Sequence, residues 1–155
     1  RHGNSMRVAL WLHLLGTVIW VGGMFFAHVA LRPAALTLPP PVRLPLMAAT
    51  LATFFRWVGG AVVTIIVTGF MMIAWMGGFA NLGAHIHAMT ALGLVMTSVF
   101  GYIVAVPYPR MRAALASGAL PAAGEALTQV RRLVGFNLVV GLATITVAIL
   151  GHGVL

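Results

Sequence analysis

The chain has 155 residues, of which 61% are hydrophobic and 6% charged, and its formal net charge is +8. Soluble domains carry about 25% charged residues, so a water-facing globular surface is excluded, and a mean hydropathy of +1.06 turns most of the surface toward lipid. The cations are all Arg and sit in short segments between apolar stretches, which reports membrane topology and argues against a nucleic-acid-binding face. With no Cys there is no disulfide or thiolate metal site, so a metal must be held by His, Met, Asn or a carboxylate. Glu125 is the single acid, which leaves no paired carboxylates for hydrolysis, and it is expected to pair with a nearby Arg.

In chain order, the polar pentapeptide Arg1 to Ser5 reads as a cloning remnant ahead of a native start at Met6, and 6–155 reads as one domain. A bilayer core of about 30 Å needs about 20 apolar residues in a helix. Four stretches meet this, at about 8–31, 57–79, 85–106 and 133–154. The first is followed by Arg32-Pro33, a proline-rich segment with Arg43, and a helical lead-in from Leu46 to Arg56. The third is followed by Pro107, Pro109, Arg110 and Arg112, a turn at Ser117-Gly118, and a helix opened by Pro121 that carries Arg131 and Arg132. Seven of the nine Arg thus share one side, while the Gly77 to Gly83 turn is uncharged. The positive-inside rule puts both longer loops in the cytoplasm and both termini outside. The expected fold is an all-α membrane protein, an antiparallel four-transmembrane-helix bundle in a bacterial inner membrane with periplasmic termini.

Helices in lipid associate through small residues and occasional polar contacts. The inward stripes are therefore His13, Gly16, Thr17, Trp20, Gly23, Met24 and Ala27 on the first span; Gly60, Thr64, Thr68, Met71 and Trp75 on the second; and Asn137, Gly141, Thr144, Ala148 and Gly151 on the fourth. The third offers two competing stripes, one with His87, Thr90, Leu94, Thr97, Ser98 and Gly101, the other with His85, Met89, Leu92, Gly93 and Met96. Residues two apart on a helix point about 200° apart, so only one stripe faces the core.

An imidazole inside a span is a functional candidate by default. His13, six residues from Arg7, lies about 9 Å inside the outer boundary; His85, His87 and His152 reach the same outer level, and His28 alone lies at the cytoplasmic end. Convergence from separate helices points to a cofactor. The preferred reading is haem b, with bis-His ligation by His13 and His87, and His85 substituting if the third helix is rotated. Gly16 makes room for the macrocycle, Trp20 follows on the same face, Arg7 pairs with the propionates, and Asn81 adds a hydrogen bond. Such a protein passes single electrons, with a quinone, superoxide or periplasmic copper as partner, and a homodimer would shield the flat cofactor from lipid. The competing chemistry is copper, held by His13, His85, His87 and Met89, because thioether with imidazole suits Cu(I).

Leu12 to Phe26, with His13, Gly16, Trp20 and Gly23, resembles the first helix of CopD-like (copper resistance D) membrane proteins. Ala30-Leu31-Arg32-Pro33, His85-Ile86-His87-Ala88-Met89 and Leu92 to Met96 are similar to that family too. The resemblance covers nearly all of the native chain and implies copper handling in the bacterial inner membrane. The related HemJ-like protoporphyrinogen oxidases share the His-to-Trp pattern, which implies haem b. That group carries a Lys near the position of Met89, and this chain has no Lys, which argues against protoporphyrinogen oxidation and leaves haem binding open.

Overall fold

A chain crossing lipid must pair its backbone polar groups internally. In the computed structural model, which describes residues 2–151, the regular elements are all helical. Helix α1 (His2–Phe26) runs through a π-helical turn (Ala27–Leu31) into the short α2 (Arg32–Ala35). After a tight connection come α3 (Pro40–Trp75), a 3-10 turn (Phe79–Asn81), α4 (Ala84–Ala105), α5 (Pro107–Ala116) and α6 (Leu120–Leu150). Four helical stretches, α1 with α2, α3, α4 with α5, and α6, are long and apolar enough to cross a membrane. The protein is an all-α four-helix membrane protein.

Helix boundaries follow local chemistry. Pro40 opens α3 at a position where its missing N–H costs nothing, so α3 absorbs both the expected lead-in and the second span. It stops at Trp75, short of the expected Phe79, because Gly77 and Gly78 take φ of +93° and +84°, open only to glycine without strain. Pro107 ends α4 and starts α5, and Gly118, with φ of +73°, makes the turn into α6. The expected end of the last span, including His152, lies outside the described residues.

Helix α1 packs chiefly on α3, and both α4 and α5 pack on α6. Gly16 permits the close approach of α1 and α3: a Cβ there would lie 3.1 Å from the Ala61 carbonyl and 2.9 Å from Ile65 Cγ1. The seam between the helix pairs is aromatic. Trp20 meets Phe100 edge-on with centroids 6.1 Å apart, Phe100 meets Phe55 at 5.8 Å, and Phe55 meets Tyr108 at 5.1 Å. Leu44, Leu51, Val58, Ile103, Met111, Ala123, Val130 and Val134 fill the core around it. Trp11, Val18, Phe26, Val63, Val139 and Ile149 are exposed and form a lipid-facing belt.

The inward stripes hold on α1 and α6, where Trp20, Met24, Asn137 and Gly141 are buried. On α3, Thr68 of the expected stripe is buried, but Gly60, Met71 and Trp75 are exposed, and Phe55, Val58 and Val62 face inward instead. Bulk outweighs smallness there, because the aromatic seam needs Phe55 and shape filling takes the rest of that face. On α4 the second stripe wins: Met96 is buried, His85, Met89 and Leu92 are half-buried, and His87, Leu94, Ser98 and Gly101 are exposed. The cause is on α6, where Asn137, 1% exposed, donates from Nδ2 to the Met96 carbonyl at 3.0 Å, and Gly141 leaves room for the Met96 thioether.

Candidate functional site

His13 projects from α1 onto α3. Its Nδ1 lies 3.1 Å from the Thr68 hydroxyl, and a Cβ on Gly69 would lie 3.3 Å from its ring. The Thr68 hydroxyl also lies 2.6 Å from the Thr64 carbonyl; when it donates there it accepts from Nδ1, which leaves Nε2 with a lone pair. Anchoring the far ring nitrogen in this way is how proteins orient an imidazole that ligates a metal.

His87 repeats the arrangement in a different setting. Its Nδ1 donates to the Gly83 carbonyl at 3.1 Å, its ring lies 5.6 Å from that of Phe79, and the side chain is exposed. His85 is half-buried on the α4 face turned toward α6, with its Cβ 2.8 Å from where a Cβ on Gly151 would stand. Met89 follows His85 at the i+4 position, on the same face and also half-buried.

The other expected contacts have local roles. Gly16 is taken up by Ile65 and Ala61, and Trp20 by the aromatic seam. Asn81 is exposed and donates from Nδ2 to the Gly77 carbonyl at 3.3 Å, closing its own turn, and Arg7 is exposed on α1. Glu125 is exposed, and the expected pairing with Arg does not form among the described residues. Of the two α4 histidines, His85 is half-buried and His87 exposed. Among the described residues no three His, Cys, Asp or Glu side chains cluster closely enough to hold a metal ion by themselves. Sequence reasoning placed Thr68 on an inward face but missed its contact with His13.

Four helices long and apolar enough to cross a membrane define a multi-pass membrane protein. The chain belongs to the copper resistance protein D family, whose model matches residues 48–150. That match runs from within α3 to the end of α6, so it includes His85, His87 and Met89 and leaves His13 outside. No curated protein and no solved structure shows significant similarity to the chain.

Proposed function

We propose that this protein handles copper as cargo in a bacterial inner membrane, taking Cu(I) at its periplasmic end through His85 and Met89. The observation that carries this reading is the rotation of α4, which turns that pair inward within a chain of the copper resistance family. An imidazole and a thioether one turn apart match the low coordination number and softness of Cu(I). His87, exposed beside the Gly-Gly turn, offers first contact from the aqueous side, and His13, anchored by Thr68, supplies a further imidazole from α1. The seven Arg at the opposite end support an orientation with the His end periplasmic.

Bis-His haem ligation by His13 and His87 draws no support from this geometry. The space next to Gly16 that a macrocycle needs is filled by α3, and His87 is turned away from the core. A quinone or superoxide partner belongs to the haem reading and has no part in the copper one. A homodimer loses its main argument with it, since no flat cofactor has to be shielded.

The test is competition for Cu(I) against a chromophoric chelator, using purified full-length protein in detergent, with metal analysis and a visible spectrum. Wild type is expected to retain copper and show no Soret band. His85→Ala and Met89→Leu each weaken Cu(I) by about ten-fold or more. A Soret band that shifts on reduction, or unchanged affinity in both variants, overturns the proposal.

A further inference from the structure

The Arg-rich end is more than a topology signal. Its seven Arg fall into two groups: Arg56, Arg110, Arg112 and Arg132 are exposed, as positive-inside residues are, whereas Arg32, Arg43 and Arg131 are half-buried. Those three, together with His28, line a single cavity of about 100 Å³ between the α1–α2 junction, the start of α3 and the first half of α6. The volume corresponds to roughly three waters in the liquid, or to one small oxyanion.

The cavity is built from polar groups that lack counterparts. Arg32 Nε is buried and has no hydrogen-bond partner among the described residues. Arg43 reaches only the Leu38 carbonyl, from Nη1 at 3.4 Å. No acid lines the cavity. Arg131 faces the same space from α6. Three like charges gathered around a half-enclosed space repel one another and lose hydration, a cost that an anion entering the space offsets.

The backbone is adapted at the same place. The π-helical turn Ala27–Leu31 inserts itself where α1 meets α2, and π turns of this kind concentrate at functional sites. It carries His28, whose ring lies against Gly135 of α6, 3.0 Å from where a Cβ would stand. The turn is followed immediately by Arg32.

We propose that this cavity binds a phosphate-type oxyanion, gripped by the guanidinium groups of Arg32, Arg43 and Arg131. Guanidinium forks match the paired oxygens of phosphate, which Lys cannot do, and the chain uses only Arg. Arg-rich ends of membrane bundles face the cytoplasm, so the oxyanion has two sources, an acidic lipid headgroup or free phosphate.

Two probes separate them. Full-length protein in detergent is titrated with phosphatidylglycerol and, separately, phosphatidylcholine, with bound lipid read by native mass spectrometry; inorganic phosphate is titrated by calorimetry. Saturable uptake of one phosphatidylglycerol, with no preference for phosphatidylcholine, identifies the lipid as source. Saturable heat from inorganic phosphate identifies the free anion. In either arm Arg43→Gln and Arg32→Gln lower affinity by about ten-fold or more, while the exposed neighbour Arg132→Gln shifts it less than about two-fold. Arg43→Gln, closer to the rim, serves if Arg32→Gln fails to fold by circular dichroism. Absence of binding in both arms, or equal losses for Arg132→Gln and Arg43→Gln, overturns the proposal.

Discussion

The two halves of the bundle are packed by different rules. In the Arg-rich half, buried side chains from α1, α3, α4, α5 and α6 form one continuous core around the Trp20, Phe100, Phe55 and Tyr108 rings. In the half that carries His13 and His85, the buried positions thin out to a few such as Ala9, Gly16, Thr68 and Ile73, and hydroxyl and imidazole contacts stand where rings stand below. The difference teaches that dense packing is concentrated at one end of the bundle and thins toward the other. Regions with few buried contacts open most readily, as the proposed copper site would need to.

The comparison breaks most visibly at the seam. Phe55→Ala is expected to destabilise the protein by about 2–4 kcal/mol, less than in an aqueous core because the alternative surroundings are lipid; mixed-micelle unfolding measures it. Next comes Gly16→Val, which drives side-chain atoms toward the Ala61 carbonyl and Ile65 and costs about 1–3 kcal/mol by the same assay. If that loss matched or exceeded the one from Phe55→Ala, the loosely packed half would be the stabilising one and the contrast would be inverted. His85→Ala sharpens the picture from the other side, since it weakens Cu(I) about ten-fold while moving unfolding by no more than about 0.5 kcal/mol. The smallest effect belongs to Thr68→Val. It removes the acceptor that fixes the His13 ring at a cost of about 0.6 kcal/mol, and amide hydrogen exchange in the first turns of α4 stays unchanged.

Much of this arrangement is legible in composition and spacing. Span number, antiparallel order and the sidedness of the Arg follow from hydropathy and charge, which need no knowledge of packing. The inward faces of α1 and α6 are legible for the same reason that lipid-buried helices use small residues at contacts: Gly16 and Gly141 both mark one. The α3 stripe is not, because Gly60 and Trp75 have the right residue types for an interface while Phe55, five residues before Gly60, holds the actual one. On α4 the sequence presents two equivalent faces, and the choice is made by a partner on another helix. The grouping of Arg32, Arg43 and Arg131 depends on three segments meeting in space, and runs of cations read along the chain look alike whether they are hydrated or enclosed.

The bond from Asn137 to the Met96 carbonyl has a reach beyond its own depth. Met96 lies eleven residues along α4 from His85, about 16 Å in a helix, and an α-helix turns as a stiff rod. A side-chain amide on one rod thereby sets the azimuth of the other, including donors it never touches. Evolution or an engineer could retune what the far tip presents by editing one amide in α6, leaving the imidazole and thioether themselves intact.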